Sequence, residues 1–193
     1  MVHMGKVRMD GVTEFLREIY DDGRIRSDEA KAFIEEHKEH RRRLGEVPLQ
    51  ASLKSLAALA KEAEKRGILI GIENRYHIHD FPDAEEFAVI FREFAGSPVR
   101  YWHDIGHATA QENLGLIRKG ELLERFGGFL AGVHLHGCTG YHDHYAPGSG
   151  EEDYELLKKY LQPETIRVVE THHRSSRADL IKGIEFLKEQ GIA

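Results

Sequence analysis

Gly67-Ile68-Leu69-Ile70-Gly71-Ile72 is a short apolar run, rich in branched residues, that closes on an acid, Glu73. A run this short, bounded by glycine, reads as a buried strand. The pattern returns at Pro98-Val99-Arg100-Tyr101-Trp102, Leu130-Ala131-Gly132-Val133 and Ile166-Arg167-Val168-Val169, and Met1-Val2 reads as the stub of an earlier strand. Helical spacing fills the intervals. Residues 49–66 place Leu49, Leu53, Leu56, Ala57 and Ala60 on one stripe, then stop at Lys65-Arg66-Gly67, a basic last turn followed by glycine. Residues 84–95, 112–126, 151–161 and 176–190 behave alike. Strands alternating with helices predict an α/β fold of about five parallel strands with flanking helices.

The segment 10–43 differs: it is long, highly charged and helical in propensity, with an interruption near Asp21-Asp22-Gly23. Its run His40-Arg41-Arg42-Arg43 offers a phosphate contact, although a solvated helix face is the better reading. No low-complexity linker divides the 193 residues, so the expectation is a single domain, 1–193. Mean hydropathy of -0.50 and the lack of a long apolar run exclude a membrane span. The first ten residues lack the apolar stretch of a secretory signal, and the single cysteine, Cys138, excludes an internal disulfide; both suit the cytoplasm. A net charge of -6 argues against non-specific nucleic-acid binding. Histidine is abundant: thirteen, ten of them after residue 70.

Each strand ends in a side chain able to ligate a metal or move a proton: Glu73, Asp104, His134 and Glu170, at intervals of 31, 30 and 36 residues. Parallel strands put their C-termini on one edge, so these four converge. One such acid alone reads as a loop cap; four in register read as a metal centre. Oxygen-rich donors with one imidazole suit Mn²⁺, Zn²⁺, Mg²⁺ or Co²⁺. Around this group lie His107, the loop residues His142, Asp143 and His144, and His3 at the end of the strand stub. They are candidates for a second metal, a sugar hydroxyl or a substrate phosphate, or are hydrogen-bonded loop residues. Arg75 and Arg174 hold a carboxylate or phosphate by a bidentate fork, or form rim ion pairs. His77, His79, His103, His136, His172 and His173 read as structural or supporting, His136 least clearly because it shares a strand face with His134.

Six short motifs in order give the chain a resemblance: Val2-His3-Met4-Gly5, Gly71-Ile72-Glu73-Asn74, Asp104-Ile105-Gly106-His107, Val133-His134-Leu135-His136, Asp143-His144 with Ala146-Pro147-Gly148-Ser149-Gly150, and Val169-Glu170-Thr171. Together they resemble the xylose isomerase-like TIM-barrel superfamily, shared by sugar isomerases and epimerases and by endonuclease IV-type AP endonucleases. The resemblance implies a (β/α)8 barrel in which Glu73, Asp104, His134 and Glu170 are the shared metal ligands. In the epimerases, the positions of Glu73 and Glu170 are also the acid/base pair, and that of His107 contacts substrate. In the endonuclease branch, the positions of His3, His107 and His144 hold further zinc ions, and a loop aspartate falls at His142 or Asp143.

Whole barrels of this kind take about 250 residues, so the expected fold is a partial barrel lacking the first three βα units. A second copy or a preceding segment is then expected to cover the open side. The implied function is a divalent-metal-dependent isomerase or epimerase of a small sugar, by glutamate-mediated proton transfer through an enediolate. The alternatives are a metal-dependent phosphodiesterase on abasic DNA and a non-catalytic half-barrel binding subunit.

Overall fold

The computed structural model describes residues 1–193. Its elements run α1 (Val12–Asp21), α2 (Asp28–Arg66), β1 (Ile70–Glu73), α3 (Ala84–Glu93), β2 (Val99–Asp104), α4 (Ile105–Asn113), α5 (Glu121–Phe126), β3 (Leu130–Leu135), β4 (Gly137–Thr139), β5 (His142–Tyr145), α6 (Tyr154–Lys158), β6 (Ile166–Val169) and α7 (Arg177–Glu189). The sheet is parallel, in the order β1-β2-β3-β6, and β4 and β5 form a separate antiparallel pair beyond the end of β3. This is the α/β architecture of a partial TIM barrel. Four strands form rather than five: the N-terminal stub is reduced to Val2, which bridges Ile72 in parallel and donates its N–H to the Gly71 carbonyl at 2.8 Å.

The charged segment is helical, as its composition predicts, and its second helix runs on without a break into residues 49–66. Helix α2 is capped by Ser27, whose hydroxyl accepts the Ala30 N–H, and runs through Pro48 to Arg66, where Gly67 stops it in left-handed backbone at φ 63°. A proline inside a helix forfeits a hydrogen bond and costs about 3 kcal/mol. Tertiary contacts on both sides hold the helix together here. Before Pro48, Arg41 is buried and the ring of Phe81 lies against Gly45; beyond it, Leu53, Leu56, Ala60 and Ala63 pack into the main core. Arg41 therefore faces inward rather than toward a phosphate or solvent, while Arg42 and Arg43 stay exposed and pair with Glu39.

The helical stretch 112–126 also divides. Gly115 and Gly120 adopt left-handed backbone, at φ 73° and 74°, and separate α4 from α5. Behind the sheet, Phe87, Ile90 and Phe91 of α3 pack with Tyr101 and Phe126 in edge-on and tilted pairs. Trp102 lies across two neighbouring strands: a Cβ on Gly71 would come within 2.9 Å of it, and one on Gly132 within 2.3 Å. Those two glycines exist to let the indole lie flat.

Candidate metal centre

The strand ends deliver their side chains to one place. Glu73 and Asp104 are the last residues of β1 and β2, His134 is the penultimate residue of β3, and Glu170 follows β6 directly. Parallel register pairs Asp104 with His134 and His134 with Val168, so the chain reaches Glu170 two residues on. One donor atom from each of the four lies within 4.8 Å of every other. His134 Nδ1 is 2.6 Å from Glu73 Oε1, 3.0 Å from Glu170 Oε2 and 3.5 Å from Asp104 Oδ2. Glu73, Asp104 and His134 are buried, whereas the Glu170 side chain is 39% exposed.

Asp104 does two jobs. Its Oδ1 caps α4 by accepting the His107 N–H at 2.7 Å, and it also meets His136 Nε2 at 2.9 Å. Its Oδ2 is buried and makes no hydrogen bond. Asn74 holds the turn in place: its side chain accepts the Asp104 N–H at 2.8 Å and donates to the Asp104 carbonyl at 2.9 Å. Three carboxylates packed this closely repel one another unless positive charge lies among them. Burial would push Asp104 up, but His107, His136 and His134 hold its carboxyl well below the usual range. Glu73 is likewise lowered against its burial by the hydrogen bond to His134. His134 pays in the opposite direction: burial opposes its charge, yet Asp104 and Glu73 raise it to about 9. An unmet carboxylate oxygen beside two glutamates and an imidazole is the donor set of a divalent cation, so the residues fit the metal that the sequence pattern implies.

A second group shares Asp104. Donor atoms of Asp104, His107, His136 and His144 lie within 4.8 Å of one another, all in buried residues. The His144 N–H donates to His136 Nδ1 at 3.0 Å, and His144 carries a left-handed backbone at φ 60°, a conformation that is uncommon outside glycine. Asp143 lies beside this group, 3.1 Å from His144 Nδ1 and 3.6 Å from His107 Nε2.

The remaining candidates divide. His3 Nε2 lies 2.9 Å from Glu73 Oε2, and the Arg75 guanidinium pairs with the same carboxylate. Arg174 is exposed in the loop after β6, and His142 is exposed against Tyr141, so neither joins the cluster. His136, whose sequence position suggests a supporting role, is fully buried in contact with Asp104. One sequence signal points to it, its two-residue spacing from His134; in the structure Gly106 makes room for its ring, since a Cβ there would come within 2.0 Å. Asn74 had no such signal beyond its place after Glu73. His103 points away from the mouth, bonded to the Tyr101 hydroxyl at 2.7 Å, and burial lowers it to about 4. Gly150 is tight for a packing reason: a Cβ there would come within 2.5 Å of the Cys138 backbone nitrogen.

Comparison with known proteins gives this arrangement a family. No curated protein matches the chain. Among solved structures, a D-tagatose 3-epimerase-like protein superposes with a TM-score of 0.57 at 26% identity, covering 74% of this chain. The apo form of 3-keto-D-glucoside 4-epimerase from E. coli superposes at 0.54 with 18% identity and 74% coverage. The chain spans 54% of the length of each. The profile described as xylose isomerase-like TIM barrel matches residues 16–190. With nearly the whole chain inside that match, and the carboxylates and imidazole gathered at the C-terminal edge of a parallel sheet, this protein belongs to the xylose isomerase-like TIM barrel family.

Proposed function

We propose that the chain carries the proton-transferring half of a sugar isomerase or epimerase, with Glu73, Asp104, His134 and Glu170 holding a divalent metal. The observation that carries this reading is the pair of glutamates, Glu73 and Glu170, reaching His134 Nδ1 at 2.6 and 3.0 Å. When bound, the cation supplies Lewis-acid polarisation of the substrate carbonyl and orients its neighbouring oxygen. The protein's own groups do the rest. Glu73 is fixed by His3, Arg75 and His134, whereas Glu170 is more exposed and freer to adjust. One carboxylate takes the proton from the carbon beside the carbonyl and the other returns one, a transfer that contributes about 10²–10⁴-fold. His107, His144 and Asp143 are placed to position substrate hydroxyls.

The chain spans only about half of the epimerases it superposes on, so a further wall is part of the proposal. Edge strand β6 exposes Ile166 and Val168, and a second copy or a preceding segment covering that side would exclude water from the substrate. The test is deuterium exchange from D2O into a panel of ketoses, with Mn²⁺, Co²⁺ or Zn²⁺ supplied. Exchange at the carbon beside the carbonyl, lost in Glu170→Gln, supports the reading. No exchange with any ketose refutes it.

One observation favours a second reading. The group Asp104, His107, His136 and His144 offers a further metal position, and clustered metals suit phosphodiester cleavage. The net charge of -6 opposes a nucleic-acid substrate. Nicking of abasic-site DNA, with two or three ions per chain, would favour the phosphodiesterase. Folded, metal-loaded protein inert on both substrate classes would leave a binding subunit.

A further inference from the structure

Away from the strand ends, the loop between β1 and α3 holds His77-Ile78-His79-Asp80, a group that the isomerase reading does not use. The Asp80 N–H donates to the His77 carbonyl at 3.1 Å, and this turn brings the two rings together. They stack with centroids 4.8 Å apart and planes 7° from parallel. The Nδ1 atoms of both rings are buried and have no hydrogen-bond partner, an expensive condition for a polar interior atom. Asp80 stands beside them: its Oδ2 accepts the His77 N–H at 3.3 Å, and its Oδ1 lies 3.9 Å from His79 Nε2. One donor atom from each of His77, His79 and Asp80 lies within 4.8 Å of the other two.

The backbone beneath this group is fixed from two sides. Arg41 donates to the Ile78 carbonyl at 3.0 Å and to the Asp80 carbonyl at 2.6 Å. The N-terminal arm pairs along the other flank, with Val7 N–H donating to the His79 carbonyl at 2.9 Å and Phe81 N–H to the Gly5 carbonyl at 2.9 Å. Donors spaced within four residues, on backbone that is already anchored, lose little further freedom on gripping an ion.

We propose that His77, His79 and Asp80 form a separate site for a divalent transition metal, which steadies the β1–α3 loop against which the N-terminal arm pairs. Two imidazoles and one carboxylate select Zn²⁺, Co²⁺, Ni²⁺ or Cu²⁺ over Mg²⁺ and Ca²⁺. The site shares no ligand with the carboxylate centre and does not depend on the isomerase reading.

The test uses the full chain and Zn²⁺ alone. Metal content after dialysis against micromolar free Zn²⁺ falls by one ion per chain in His77→Gln and in His79→Gln. Hydrogen exchange at Val7 and Phe81 slows when Zn²⁺ is added to the unsubstituted chain, and not in His79→Gln. An unchanged ion count in both variants, or filling only above about 1 mM Zn²⁺, overturns the proposal. Should a variant fail to fold, anomalous scattering from crystals of the unsubstituted chain grown with Zn²⁺ decides the same question. A peak bounded by the three side chains supports the site, and the lack of one there overturns it.

Discussion

Two buried charge clusters lie a short way apart in this fold and are settled differently. Under α2, Arg41 forks onto Glu86 at 2.5 and 2.7 Å, reaches Asp83 at 3.3 Å, lies over the Phe81 ring and spends its remaining donors on two carbonyls. Every charge there has its answer within the chain. At the strand ends, three carboxylates share His134 and the flanking His3 and Arg75, and Asp104 Oδ2 is left with no hydrogen bond. The first cluster balances itself within the chain, whereas the second leaves a buried carboxylate oxygen unmet. Glu152 shows a third settlement. Half-buried near Cys138, whose N–H it accepts, it makes no ion pair, and burial pushes its carboxyl up to about 7.

Breaking the unbalanced cluster should hit chemistry hardest. Glu170→Gln is expected to lower ketose turnover by about 10²–10⁴-fold while the fold and part of the metal affinity survive, measured by kcat alongside metal titration. Breaking the balanced cluster should hit stability instead. Arg41→Met strands Glu86 as an unpaired buried charge and is expected to cost about 3–5 kcal/mol in urea unfolding, much of it recovered when Glu86→Leu is added. A stabilisation that does not return in the double variant would show that Arg41 acts by packing rather than by charge.

The next effect separates the clusters by their response to metal. Saturation at 100 times the dissociation constant should stabilise the unsubstituted chain by about 2.7 kcal/mol. In Asp104→Asn that increment should shrink towards zero, whereas in Arg41→Met it should remain. Calorimetric melting with and without Mn²⁺ measures both. A last effect belongs to Glu152. Burial lifts its folded value from 4.5 to about 7, so the folded state holds the extra proton. Stability from this group is therefore complete below pH 4.5 and is lost as pH rises through 7, a decline that Glu152→Gln should flatten.

The strands were legible because each is a short branched run, and the convergence of Glu73, Asp104, His134 and Glu170 followed from parallel topology alone. Helix limits were less so. Local propensity separated residues 10–43 from 49–66, but the buried Arg41 and the Gly45–Phe81 contact join them across Pro48. The antiparallel β4–β5 pair leaves no apolar pattern in the sequence, because its strands are only three and four residues long.

The order of strands and the chemistry at their ends were thus written in the sequence, since periodicity and parallel register need no knowledge of what packs where. Only the tertiary structure decided which charges meet a partner. Arg41 and Arg42 are adjacent basic residues, yet one lies buried on Glu86 and the other exposed beside Glu39. His136 and His142 are both loop-side histidines near β3, yet one touches Asp104 and the other faces solvent. Charge compensation depends on atoms far apart along the chain, over distances that no local pattern records.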